Sequence, residues 1–136
     1  RLREEYVSDG VVRFVRHDFP IPVAEWAWPA ASAVRSAQHH GGPEAALRYA
    51  ETIYEHQREY DRRVLATAAR EADVDPCTTI EAAIGETYRP VVEADRQRGR
   101  DRGVEGTPAV FVEGEPVVFG DEIGYAPVRA AVERHS

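Results

Sequence analysis

Cysteine is almost missing from this sequence: Cys77 is the only one in 136 residues. No intrachain disulfide can form, and no Cys-x-x-Cys is present. Lysine, methionine and asparagine are absent altogether, so all 17 basic residues are Arg. Against them stand 24 acidic residues, and the resulting formal charge of −7 argues against a broad nucleic-acid-binding face. Such a bias fits a GC-rich genome or adaptation to high salt, and says little about catalysis. No apolar run approaches membrane-spanning length, and Arg1-Leu2-Arg3-Glu4-Glu5 is not a signal peptide. Gly99 and Gly103 to Gly106 lack the Gly-Lys-[Ser/Thr] of a phosphate loop and the strand-turn-helix setting of a dinucleotide fingerprint. Neither a nucleotide nor any other cofactor is expected.

What is present suffices for one compact domain with a real core: 43% of the residues are hydrophobic and 30% are charged. Arg1 to Val7 has the composition of the last turns of a helix, which Ser8-Asp9-Gly10 stops. Val11 to Phe19 reads as a strand by its β-branched and aromatic content, ended by Pro20-Ile21-Pro22. Neither of its faces is purely polar, as for a strand covered on both sides in an α/β layer.

From Pro29 to Gly103 the pattern predicts helices only. Ala30 to His40 is closed by Gly41-Gly42, and Pro43 opens the next helix, with Ala46, Tyr49, Ala50, Ile53 and Tyr54 on one face. A third helix runs from about Arg58 to Ala72, with Val64, Leu65 and Ala68 inward. Asp75-Pro76 separates it from a short helix around Thr78 to Ile84. Pro90 to Arg102 is the last of the block, and its charged end reads as a solvated face.

Several residue types invite a chemical reading that their spacing does not support. His39 and His40 are adjacent, so on a helix they point about 100° apart and cannot chelate one ion as i, i+4 histidines do. No metal site is expected there, only a polar helix end. His56 with Glu55 and Glu59 lacks a His-Glu-x-x-His and reads as an exposed helix face. Cys77 follows Asp75-Pro76 at a helix start, where a thiol's pKa falls. With no His or Lys near it in sequence, a partly buried structural cysteine is the expectation. Trp26 and Trp28 suit either an apolar groove or packing over the helical block.

The C-terminal third carries the most specific pattern. Gly103-Val104-Glu105-Gly106-Thr107-Pro108 leads into Ala109-Val110-Phe111-Val112, then a Glu113-Gly114 turn, Glu115-Pro116-Val117-Val118-Phe119-Gly120, and an amphipathic helix over 126–135. Two β-branched runs about a Glu-Gly turn predict an antiparallel hairpin. Pro108 stands at its mouth, with a cis peptide bond as the alternative to an ordinary trans one. This segment resembles the C-terminal half of the thioredoxin fold, and in particular the DsbA family of thiol-disulfide oxidoreductases. "Gly-x-Val-Arg-Phe-Val-x-x-Asp-Phe-Pro-Ile-Pro" near the start resembles the strand and exit that follow the active-site helix in that family.

The resemblance implies an α/β, thioredoxin-like fold with a helical insertion (about 29–102) between an N-terminal βα part and a C-terminal ββα part (103–136). It implies one domain over 1–136, N-terminally incomplete. It further implies that Gly106, Thr107 and Pro108 bind a polypeptide substrate containing cysteines, the backbone of Thr107 pairing with an extended chain. The family's cysteine pair would lie upstream of Arg1, so no residue of this chain is expected to be catalytic. The strand that carries it would sit between the Val11–Phe19 and Ala109–Val112 strands. Either the sequence is a fragment of a longer protein, or the two remaining strands pair directly, or a second copy fills the gap in a homodimer. The alternatives to disulfide oxidation or isomerisation are a non-catalytic peptide- or partner-binding module and a glutathione-dependent isomerase or transferase. An oxidase would work outside the cytoplasm, and a binding module in it.

Overall fold

The structure is a computed structural model that describes residues 3–21, 25–56, 61–119 and 124–136, without the side chains of 118 and 119. The expectations placed on Arg1, Pro22, Arg58, Glu59 and Gly120 lie outside the described residues. The chain forms two compact units, one of Arg1–Phe19 with Gln97–Ser136 and one of Pro20–Arg96.

The Pro20–Arg96 unit is helical. Its first helix, α1 (Ala27–Glu55), is broken at Gly42, whose φ of 85° only glycine adopts without strain, and Pro43 restarts it. α2 (Arg62–Glu71) starts at Asp61, whose carboxylate accepts from the N–H groups of Arg63 and Val64. α3 (Pro76–Ile84) starts at Asp75, which accepts from the N–H of Thr78 at 2.9 Å and from its hydroxyl at 2.7 Å. Those two bonds hold the Asp75 carboxyl below its ordinary range. α1 packs on α2 and α3, which pack on each other.

Ala33, Val34, Ala37, Tyr49, Ala50, Ile53, Leu65, Ala68, Ala69 and Ala83 form the core, with Trp26 packed against it. Its alanine content lets these helices approach closely. Tyr49 is fully buried, and its hydroxyl donates to the carbonyl of Leu65 at 3.0 Å. Tyr54, expected on the same face, is half exposed, and Val64 is only partly buried.

α4 (Arg89–Asp101) supplies residues to both units. The sequence predicts a solvated charged face here, but Asp95 is 6% exposed and pairs with the Arg35 guanidinium. The correction has a physical reason: a partner 60 positions away makes burial of the carboxylate tolerable, and such a partner leaves no local pattern. Arg96 is drawn inward too, its Nε donating to the carbonyl of Pro20 at 3.1 Å.

In the other unit, β1 (Ala109–Val112) and β2 (Glu115–Phe119) form an antiparallel hairpin closed by Glu113 (φ 49°) and Gly114 (φ 84°). Two successive positive φ values are the turn that matches the twist of the flanking strands. A bulge between Val110 and Phe111 shifts the register, so that Phe111 faces Pro116. α5 (Tyr125–His135) covers both strands through Val128, Ala131 and Val132. Residues 3–7 form a π-helical turn stopped at Gly10.

The strand expected over Val11–Phe19 is not one: this stretch is irregular, and β1 and β2 are the only strands among the described residues. Val11, Phe14 and Val15 stand about half exposed. β-propensity describes how side chains fit a sheet surface, and without a neighbouring ladder it does not make a strand.

Candidate functional site

The Gly106-Thr107-Pro108 corner is built by its flanks. On one side α4 ends at Asp101, and Gly103, at φ 83°, turns the chain back so that its N–H bonds the carbonyl of Arg100 at 2.9 Å. Val104 then bonds the carbonyl of Gly99 and is buried, anchoring the segment from inside. On the other side the hairpin begins at Ala109, one residue after Pro108. Thr107 and Pro108 are exposed, Gly106 is partly buried, and the peptide bond between Thr107 and Pro108 is cis. Among the described residues neither the N–H nor the C=O of Thr107 has a hydrogen-bond partner. Both groups are therefore available to an external backbone.

Two charges flank the corner that sequence reasoning did not single out. Glu105 is exposed, two residues before Thr107. The Arg102 guanidinium lies 5.8 Å from the ring centroid of Phe111 on β1, within cation–π range. Arg102 sits inside a run of mixed charge, so no spacing rule marks it; only the return of the chain from α4 to β1 brings it over Phe111.

Cys77 needs correction. It is exposed rather than partly buried, because Pro76 and Cys77 occupy the first turn of α3, whose buried residues are Thr79, Ala82 and Ala83. His39 and His40 are exposed at the end of the first segment of α1, edge to face with ring centroids 4.9 Å apart, and His39 also neighbours Tyr88 at 6.3 Å. The ring nitrogen Nδ1 of His56 lies 2.8 Å from the carbonyl oxygen of Thr52. Among the described residues no group of three or more His, Cys, Asp or Glu is placed to hold a metal ion. The two tryptophans part company: Trp26 packs on the helical core, while the ring of Trp28 lies under the guanidinium groups of Arg89 at 4.5 Å and Arg96 at 5.8 Å. No described helix is long and apolar enough to cross a membrane.

No curated protein matches the chain. A family model described as Thioredoxin matches residues 1–134, a span that takes in the irregular N-terminal segment, the helices and the hairpin with its closing helix. On an α/β, thioredoxin-like fold with a small two-stranded sheet, this chain belongs to the thioredoxin family.

Proposed function

We propose that this chain is the polypeptide-binding part of a DsbA-like thiol-disulfide oxidoreductase, a single domain over 1–136 with a helical insertion, and that Gly106, Thr107 and Pro108 hold the client. The observation that carries the reading is the exposed corner at which Thr107 offers both backbone groups. An extended client segment pairs with them as a strand pairs with an edge, whatever its side chains. That suits a protein acting on cysteines in many sequence settings.

The chemistry needs a thiolate that attacks a disulfide and a second thiol that resolves the mixed disulfide. In the oxidising direction a client thiolate attacks the protein's disulfide, and the client's second thiolate then displaces the protein sulfur. The client loses two electrons and the protein's cysteine pair gains them. The protein's disulfide needs two cysteines and this sequence holds only Cys77, so the reading assigns the pair to residues upstream of Arg1. Work on disulfides of this kind belongs in an oxidising compartment.

The test is a thiol count on the native gene product by intact mass, before and after reduction. Two cysteines besides Cys77 that form a disulfide support the oxidoreductase reading. Cys77 as the only thiol overturns it and leaves a non-catalytic peptide- or partner-binding module, or the glutathione-dependent branch of the fold.

A further inference from the structure

We infer that Tyr6 and Tyr125, through their bonds to Glu133 and Glu5, are positioning residues: they lock residues 3–7 onto α5 and so hold the segment just upstream, to which the cysteine pair is assigned, at a set place relative to the Gly106-Thr107-Pro108 corner. The inference rests on the proposed function and adds to it the residues that align its two parts.

α5 has two working sides. Val128, Ala131 and Val132 are buried and cover the hairpin, while Tyr125, Arg129 and Glu133, spaced four apart, form a polar row. Against that row stand two consecutive residues from the other end of the chain. The Tyr125 hydroxyl donates to the Glu5 carboxylate, 120 positions away, and the Tyr6 hydroxyl donates to Oε1 of Glu133 at 3.2 Å, 127 positions away. Arg129 donates from Nε to the same oxygen at 2.7 Å. Arg129 first, and Tyr6 after it, hold the Glu133 carboxyl below its ordinary range, so at neutral pH it is a charged acceptor. Tyr125 and Glu133 stand about 12 Å apart along the α5 axis, so two bonds to them fix the angle of residues 3–7 as well as their place. The Tyr6 carbonyl in turn accepts from the N–H groups of Val11 and Val12, which closes the turn on the residue that α5 holds. The corner leans on the same helix: β1 begins one residue after Pro108 and packs on α5. Residues 3–7, α5, β1 and the corner all belong to one compact unit, and α5 is their common support. A client lying at the corner therefore meets a reactive sulfur whose position the polar row sets.

The test compares two reductants of the oxidised native gene product: a reduced unfolded polypeptide, which lies at the corner, and reduced glutathione, which is small enough to reach the pair without it. In both reactions the protein's disulfide takes up two electrons and two protons. They come from two thiols of one polypeptide, which close a disulfide, or from two glutathione molecules, which leave as glutathione disulfide. The variant is Tyr6→Phe with Tyr125→Phe, which removes both hydroxyls and keeps both rings, so that packing survives. The expected result is a rate with the polypeptide about three- to tenfold lower than that of the unchanged protein, with the glutathione rate held within about twofold. Rates that fall equally with both reductants assign the two tyrosines to the support of the pair itself and overturn the inference, as do two rates that stay unchanged; the proposed function stands in either case. A native gene product without the cysteine pair overturns the proposed function and this inference together.

Discussion

The side chain of Arg96 donates from Nε to the carbonyl oxygen of Pro20 at 3.1 Å, joining the first and last residues of the helical unit. The same guanidinium reaches the ring of Trp28 at 5.8 Å, so the ends of the unit and its first helix are tied at one point. A unit whose ends meet, and whose core of Tyr49, Leu65 and the alanines of α1 to α3 is its own, meets the physical requirements for folding alone. Residues 20–96 expressed by themselves are expected to give a helical circular dichroism spectrum and a cooperative thermal transition. A spectrum without helix would contradict this.

The Arg35–Asp95 pair gives the second prediction. Asp95 is 6% exposed and the Arg35 side chain 16%, so Asp95→Ala removes one half of a part-buried pair, at a cost of about 1–3 kcal/mol. Replacing both by apolar residues of similar size, Arg35→Met with Asp95→Leu, is expected to cost far less than the single change. Urea denaturation of the two variants, compared at equal m-value, measures the difference.

Tyr49 gives a pH dependence. Burial pushes its hydroxyl up from the ordinary tyrosine value of 10.0 to about 12, with Thr79 acting weakly in the opposite sense. Because the folded state keeps the proton longer than the unfolded chain, the linked stability is fully present below pH 10.0 and is lost as pH rises towards about 12. Tyr49→Phe removes this alkaline loss and, with it, the bond to the Leu65 carbonyl, worth about 1 kcal/mol at neutral pH. Thermal melts of both proteins across the alkaline range check the crossover.

Gly99 is a packing position. A Cβ built there lies 2.8 Å from Cδ2 of Phe19, closer than real Cβ atoms come, and 3.0 Å from its Cε2. Gly99→Ala must push the ring away and is expected to destabilise the unit by about 1–3 kcal/mol, despite alanine's better helix propensity. The pair Gly99→Ala with Phe19→Leu tests whether the contact is the cause, since the smaller side chain should recover part of the loss.

How much of this could be read from the sequence depends on whether the signal is local. The hairpin is legible because Glu113-Gly114 lies between two β-branched runs, and the break in α1 because Gly42 and Pro43 cannot continue a helix. The start of α3 is legible from Asp75-Pro76, although the helix begins two residues earlier than Thr78. Val11–Phe19 misleads because a strand is a relation between segments, and its composition says nothing of whether a neighbour is there. Asp95 misreads as solvated charge for a related reason: its partner Arg35 is 60 positions away. Arg102 is solvated as its charged setting suggests, and only its place over Phe111, across a chain reversal, leaves no local signal. The exposure of Cys77 depends on which side of α3 meets α1 and α2, and a single residue in a nine-residue helix carries too little periodicity to tell.

The most direct test of the account is to follow the backbone amide resonances of the chain while a reduced and alkylated unfolded polypeptide is added. Such a probe has no free thiols, so it reports binding without redox chemistry. The account predicts saturable shifts centred on Gly106 and Thr107 and extending into β1, weakened by Pro108→Ala. Shifts confined to the helical unit, or none at these two residues, would contradict the assignment of the corner as the polypeptide-binding site.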